Sequence, residues 1–193
     1  MSCNFNYRRK NYAGFTYKIY LLPQLFEFKA RIDNWLHLEK KLLTLNPVFK
    51  GTDYQVDTYF NVPDGRLKLR EGIIENALIH YTRSNVANAK PSDVLLYQHQ
   101  PSPALKDILK KALGIKIVIK KTRKIYFIDN VKFHFDDVES LGNFIEVEAI
   151  DNDGSIGTEK LERQCKSFIS FFKIKKKDFI AESYSDLLLI QEG

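Results

Sequence analysis

The chain has 193 residues, of which 44% are hydrophobic and 28% are charged, and its formal net charge is +6 at pH 7. This length predicts one packed domain rather than two, and the composition excludes a disordered or fibrous chain. The positive charge favours an anionic partner without identifying it, because net charge acts on steering and solubility.

The N-terminal segment is basic and aromatic. No acidic side chain occurs in the first 26 residues, where Arg8, Arg9 and Lys10 are interleaved with tyrosines. A transit peptide is also basic, but this segment has more tyrosine than serine and no amphipathic period. We therefore interpret residues 1–22 as an extension, whose membership of the domain is left open, and residues 23–193 as a single domain.

The first predicted strand is "LFEFKARID", Leu25 to Asp33. Its two-residue alternation sends Glu27, Lys29 and Arg31 to one face and apolar side chains to the other. Asp33 is expected to cap a helix through "NWLHLEKKLLTL", whose apolar residues recur at three and four positions. Pro47 follows the end of that helix.

A hairpin and a second helix are expected next. "YQVDTYFNV" and "RLKLREG" are joined by the turn residues Pro63 to Gly65 and read as paired strands. "NALIHYTRS" and "DVLLYQHQ" predict two more strands. A helix is expected through "PALKDILKKAL", with Ser102 as its N-cap, Pro103 at its first position and Gly114 just beyond its end.

The last third of the chain predicts three consecutive antiparallel strands, "IKIVIKKTRKIYFID", "VKFHFDDV" and "NFIEVEAID". A third amphipathic helix is expected over Thr158 to Phe172, followed by an acidic, leucine-rich end. Strands in groups with helices between them indicate an α+β fold with a mainly antiparallel sheet.

Charged side chains recur in phase on several of these strands, and they are segregated by sign. The cations are Arg66, Lys68 and Arg70, then Arg83, then Lys121 and Arg123; the acids are Glu146 and Glu148, with Asp136 in phase with His134 and Lys132. A half-buried sheet with one wet face explains such a pattern. A barrel with a charged interior also explains it, because cations would hold an anion and carboxylates a metal ion.

The motifs "EFKAR", "DTYFNVPDGRLKLRE", "HYTRSN" and "VKFHFDDVESLGNFIEVEA" resemble, in this order, those of the CYTH superfamily, the triphosphate tunnel metalloenzymes. The likeness runs from Phe26 to Ala149 and is greatest to the class IV adenylyl cyclase branch. It implies an eight-stranded antiparallel β-barrel, open at both ends as a tunnel and flanked by helices, that binds a triphosphate with a divalent metal.

When the functional positions of the family motifs are transferred to this sequence, the resemblance implies a site of eleven residues. The expected phosphate contacts are Lys29, Arg66, Lys68, Arg70, Arg83, Lys121 and Arg123, and the expected ligands of Mg²⁺ or Mn²⁺ are Glu27, Asp136, Glu146 and Glu148. The sequence departs from the family where its ExExK signature begins. Leu25 takes the place of the first glutamate, and leucine cannot ligate a metal ion.

The resemblance favours conversion of ATP to cyclic AMP and pyrophosphate. Hydrolysis of inorganic, thiamine or nucleoside triphosphate is the alternative, and Leu25 adds a second one, a catalytically silent binder of polyphosphate or nucleotide. The lysines from Lys173 to Lys177 are a solvated run, so no nucleic acid is expected. A homodimer is left open.

The expected cellular location rests on the cysteines and on the length of the apolar runs. Cys3 and Cys165 are the two cysteines, and they make neither a disulfide framework nor a zinc pattern. No apolar run approaches the roughly 18 to 20 residues of a membrane span. We therefore expect a cytoplasmic protein without a membrane partner.

Overall fold

The computed structural model describes residues 7–12, 15–20, 24–82 and 90–192. Its strands are β1 (Tyr7–Tyr12), β2 (Phe15–Tyr20), β3 (Gln24–Arg31), β4 (Val48–Phe60), β5 (Arg66–Glu71), β6 (Ala77–Thr82), β7 (Lys90–Gln98), β8 (Ile115–Ile128), β9 (Val131–Val138) and β10 (Gly142–Asp151). Its α-helices are α1 (Leu36–Leu43), α2 (Pro103–Leu113), α3 (Thr158–Phe172) and α4 (Tyr184–Glu192), with a 3₁₀ turn at Lys176–Asp178.

Eight of the strands close into a barrel. The order around it is β10, β3, β7, β6, β5, β4, β8 and β9, so the first strand of the barrel seals against the last. Every neighbouring pair is antiparallel. The α+β fold with an eight-stranded antiparallel barrel and flanking helices is therefore confirmed, and β1 and β2 pair in a separate sheet.

The outward face of β3, β9 and β10 forms the main hydrophobic core. Side chains such as Phe28, Phe133 and Val147 are fully buried there against α1 and α3. Because successive side chains on a strand point to opposite faces, this burial leaves the intervening charged positions pointing into the barrel. The helices thus decide which face of these strands is outside.

Local signals located three of the four helices. The bounds predicted for the second and third helices match α2 and α3, and Gly114 has the positive φ of 72° expected just past a helix end. The cap of the first helix was predicted wrongly. The backbone N–H of Leu36 donates to Oδ1 of Asn34 at 2.8 Å, so Asn34, rather than Asp33, satisfies that end.

Helix α4 lies against side chains that point into the barrel. Tyr184 packs with Ile79, Ile119 and Phe144, and Leu187 to Leu189 join the same cluster. Paired strand positions share a face, and Ile79 pairs with the inward residue Lys68. The start of helix α4 therefore packs into one end of the barrel. Among the described residues, no helix is both long and apolar enough to cross a membrane.

Candidate functional site

The register of the barrel strands brings charged residues from distant parts of the chain to one interior. Glu27 pairs with Glu148 and Lys29 with Glu146 across β3 and β10. Arg123 pairs with Asp136 across β8 and β9. Directly paired positions point to the same face, so these side chains meet inside the barrel although they are far apart in sequence.

The first cluster surrounds Asp57 on β4. Its carboxylate accepts two hydrogen bonds from Arg70, at 2.8 and 2.9 Å, and one each from Lys68 at 3.1 Å and Lys121 at 2.8 Å. Burial alone would raise the pKa of Asp57, but Arg70, Lys121 and Lys68 lower it well below its usual value. Three basic side chains therefore converge on one carboxylate, and Arg70 is paired with Glu75 as well, which concentrates basic groups on this part of the interior.

The second cluster surrounds Arg123. Its guanidinium donates to both oxygens of Asp136, at 2.6 and 2.5 Å, and to Glu146 at 2.9 Å. The Tyr184 hydroxyl of α4 donates to Asp136 at 2.7 Å. Lys29 lies 3.5 Å from Glu146 and 4.2 Å from the centre of the Tyr184 ring. The expected ligand Asp136 is thus held by an arginine and a tyrosine.

A third group consists of His134, Glu146 and Glu148. One ligand atom from each lies within 4.8 Å of the others. Nδ1 of His134 is 3.3 Å from Glu146 and 3.7 Å from Glu148, while its buried Nε2 has no hydrogen-bond partner among the described residues. Burial, with Arg123 and Lys132 nearby, lowers the pKa of His134 to about 3. The imidazole is therefore neutral at pH 7, with one of its two ring nitrogens unprotonated.

The same group has an electrostatic reason to accept a cation. Burial raises the pKa of Glu148 to about 7, and the charges of Glu146 and Glu27 add to this effect against the opposing influence of Lys132. A divalent ion would relieve the repulsion between these carboxylates. The carboxylates of Glu146 and Glu148 fit the oxygen preference of Mg²⁺ or Mn²⁺, and the neutral imidazole adds a nitrogen ligand that transition metals accept more readily than Mg²⁺ does.

Arg66, an expected phosphate contact, and Arg31, which was not expected to be one, lie at the rim of the barrel. Arg66 donates to Asp186 of α4 at 2.7 Å. Arg31, on the same face as Lys29, lies 4.8 Å from the Phe144 ring centre and donates to the Leu141 carbonyl. Arg83 lies outside the described residues. The structure therefore brings Arg66 to the end of the barrel against which α4 packs.

Glu75 reaches the interior from the loop between β5 and β6, and no periodicity in the sequence points to it. Its carboxylate accepts from Arg70 at 3.0 Å, from Gln55 at 3.0 Å and from Lys132. The spacing of the histidines along the chain does not predict a metal ligand at His134. Its position in phase with Asp136 was the one signal that would have placed it inside.

Comparison with known proteins gives one family. The model of the CYTH domain matches residues 25–184. A Methanocaldococcus jannaschii protein, provisionally named an adenylate cyclase, is 27% identical over 170 residues, which are 83% of this chain and 96% of that protein.

Two solved structures have the same fold. The PH1012 protein of Pyrococcus horikoshii aligns with a TM-score of 0.73 at 23% identity, covering 84% of this chain and 98% of the other. A Hippeastrum protein, provisionally an adenylyl cyclase and described as having a dominant triphosphatase activity, aligns with a TM-score of 0.59 at 12% identity, over 89% and 96% of the two chains.

Proposed function

Because this chain belongs to the CYTH domain family, we propose that its barrel interior binds a triphosphate together with a divalent cation. The observation that carries the proposal is the convergence of three basic side chains on Asp57, inside the same barrel as the group of His134, Glu146 and Glu148. Arginine offers a planar fork to phosphate oxygens and lysine a compact charge. A triphosphate with its cation matches both halves of this interior.

The phosphate contacts in this proposal are the cations expected from the motifs. Lys68, Arg70 and Lys121 belong to the Asp57 cluster, while Lys29 and Arg123 belong to the second cluster. An incoming phosphate would take over part of the role that the internal carboxylates have in the free protein. The buried cations are already oriented, so little ordering remains to be done on binding.

Glu146, Glu148 and His134 would hold the cation, with Glu27 beside them through its pairing with Glu148. Mg²⁺ and Mn²⁺ both accept carboxylate oxygens. When bound, such an ion supplies neutralisation of the negative charge on phosphate oxygens. The chain's own contribution is to align the phosphate chain and to exclude water from one end of the barrel.

For the reaction we propose cyclisation of ATP. The ribose 3′ hydroxyl attacks the α-phosphorus, its proton passes to solvent water, and the bond from the α-phosphorus to the pyrophosphate oxygen breaks, which gives cyclic AMP and pyrophosphate. The name of the Methanocaldococcus jannaschii relative supports this choice. The cations around Asp57 would stabilise the charge that develops on the leaving pyrophosphate.

Hydrolysis is the second candidate, favoured by the triphosphatase described for the Hippeastrum protein. Water then attacks the terminal phosphorus and releases orthophosphate from inorganic, thiamine or nucleoside triphosphate. A silent binder is the third, because Leu25 removes one carboxylate that the family signature contains. It would bind the triphosphate and release no product.

One experiment separates these candidates. The purified protein is incubated with ATP, thiamine triphosphate or inorganic triphosphate, each with Mg²⁺ or Mn²⁺, and products are identified by mass spectrometry. Cyclic AMP with pyrophosphate selects the cyclase, and orthophosphate selects the hydrolase. Binding without product selects the silent binder, and absence of binding contradicts the whole proposal.

A pair of variants provides the matched control for binding. Lys68 points to Asp57 inside the barrel, whereas Lys120 is exposed on the outer face and lies 3.7 Å from Glu139. We expect Lys68→Gln to lower triphosphate affinity by about tenfold, the scale of one charge-assisted hydrogen bond. Lys120→Gln should leave it unchanged, and equal affinity of both variants would contradict the interior site.

A further inference from the structure

The loop between β5 and β6, residues 72–76, places a carboxylate among the interior cations. Glu75 bridges Arg70 of β5 and Lys132 of β9, and its side chain is 23% exposed. Burial alone would raise the pKa of Glu75, but Lys132 and Arg70 lower it well below its usual value. The group is therefore a permanent anion at neutral pH, in contact with two of the inward cations.

The loop is held in place independently of this carboxylate. Asp53 accepts hydrogen bonds from the backbone N–H groups of Ile73, Ile74 and Glu75 at 2.7, 2.9 and 3.0 Å. Asn76 exchanges two further hydrogen bonds with the backbone of Gly72. Changing the charge of Glu75 therefore leaves the anchors of the loop intact.

Carboxylates stand at both ends of the cation row on β5. Arg66, Lys68 and Arg70 share the inward face of that strand, spaced roughly 6 to 7 Å apart. Asp186 of α4 binds Arg66 at one end, and Glu75 binds Arg70 at the other. A bound chain of phosphates would lie along this row, between two fixed negative charges.

We propose that Glu75 is a specificity-determining residue that limits the length of the phosphate chain. Its carboxylate occupies the anion position between Arg70 and Lys132, so a phosphate chain long enough to extend past Arg70 meets a negative charge in place of two cations. Rejection of longer chains then follows from repulsion as well as from loss of a contact. This inference rests on the proposed binding of a triphosphate in the same interior.

The test compares Glu75→Gln with the wild-type protein. Binding of inorganic pyrophosphate, triphosphate and tetraphosphate is measured by calorimetry without metal, and again with Mg²⁺. In the wild-type protein, affinity should rise from pyrophosphate to triphosphate and then fail to rise for tetraphosphate. In the variant, tetraphosphate affinity should increase by about tenfold or more, with triphosphate affinity changing less than about threefold.

The matched control is Glu71→Gln. Glu71 is close to Glu75 along the chain, but it pairs with Lys106 of α2 at 2.6 Å, outside the barrel. Its removal should leave the preference among chain lengths unchanged. Thermal unfolding of each variant checks that the fold survives, and Glu75→Ala is expected to show the same change of preference as Glu75→Gln.

Two results would overturn the inference. An equal gain for all three phosphates would mean that Glu75 lowers the interior potential without selecting length, and a loss for all three would mean that it only positions Arg70. Failure of the proposed function gives a different result, because the wild-type protein would then bind none of the three phosphates.

Discussion

Lys121 is a lysine whose charge is poised near neutral pH. Burial lowers its pKa from the usual 10.5 to about 7, and Arg70 acts in the same direction against the opposing influence of Asp57. A bound phosphate would restore the positive charge, because an adjacent anion favours the protonated amine. Binding should therefore be accompanied by uptake of a proton above pH 7.

This predicts that the affinity for inorganic triphosphate depends on Lys121 as the pH rises from 7 to 9. The comparison is between the wild-type protein and Lys121→Arg, whose guanidinium stays charged, so that the titration of the ligand itself cancels. Wild-type affinity should fall relative to the variant by up to about tenfold per pH unit. Calorimetry measures the affinity of both proteins at each pH, and Lys120→Arg is the control. Parallel pH profiles of the wild-type protein and Lys121→Arg would show that Lys121 does not titrate on binding.

Asp57 is the carboxylate that the basic side chains of Lys68, Arg70 and Lys121 share. Asp57→Asn should destabilise the fold by about 3 to 5 kcal/mol, because Lys68 and Lys121 lose their buried carboxylate partner and Arg70 is left with Glu75. Inorganic triphosphate should recover part of this loss in urea unfolding. Glu139→Gln, at an exposed pair, should change stability by less than about 0.5 kcal/mol, and a similarly small effect of Asp57→Asn would refute the argument.

The contribution of Asp57 to the free energy of unfolding should decrease as the pH falls. The pKa of Asp57 is lower in the folded protein than its usual value, so the unfolded chain binds the proton more readily. The stabilisation by Asp57 is therefore complete above the ordinary carboxyl range and is lost as the pH falls through it towards the folded pKa.

Alternation in the sequence located most of the interior charges, because in-phase residues on a strand share a face whatever the rest of the fold. Glu27, Lys68 and Arg123 are examples. His134 and Glu75 were missed for different reasons. The neighbours of His134 depend on the register between strands, and Glu75 lies in a loop whose shape depends on the buried carboxylate of Asp53.

At the scale of elements, α4 shows what local signals omit. Helix α2 was predicted from its cap, its proline and its terminal glycine, although none of its residues is buried. The apolar residues of α4 run continuously from Leu187 to Ile190 without marking one face, so the sequence did not predict this helix. Its position depends on the apolar lining at one end of the barrel.

Tyr184 joins α4 to both the apolar lining and the second charged cluster. Tyr184→Phe removes the hydrogen bond to Asp136 but keeps the ring against Phe144, and it should lower the unfolding free energy by about 1 kcal/mol. Tyr184→Ala also removes the packing and should lower it by about 3 to 5 kcal/mol. Chemical denaturation measures both, and equal losses would mean that the ring contributes little.

At the scale of the whole molecule, the barrel is joined unevenly. Within the described part of the chain, β3 pairs with β7 only from Leu25 to Glu27, whereas β4 pairs with β8 from Val48 to Phe60. Local opening begins where few backbone hydrogen bonds have to break. The pairing between β3 and β7 should therefore open before the other strand pairs of the barrel.

Native-state hydrogen exchange tests this expectation. Backbone amides of β3 that face β7 should exchange faster than those shared by β4 and β8. Addition of triphosphate should slow the exchange in β3 in particular, because this strand carries Lys29 and Glu27 into the interior. Uniform exchange around the barrel, or protection confined to other strands, would contradict it.

The position of α4 at one end of the barrel also bears on the proposed cyclisation of ATP. If that reaction takes place, the substrate and both products would share the other opening, so the product that lies deeper would leave after the one nearer the opening. Release is then ordered rather than random, and the deeper product is the one that competes directly with fresh substrate. Product-inhibition patterns would therefore reveal which end of the nucleotide points towards Tyr184.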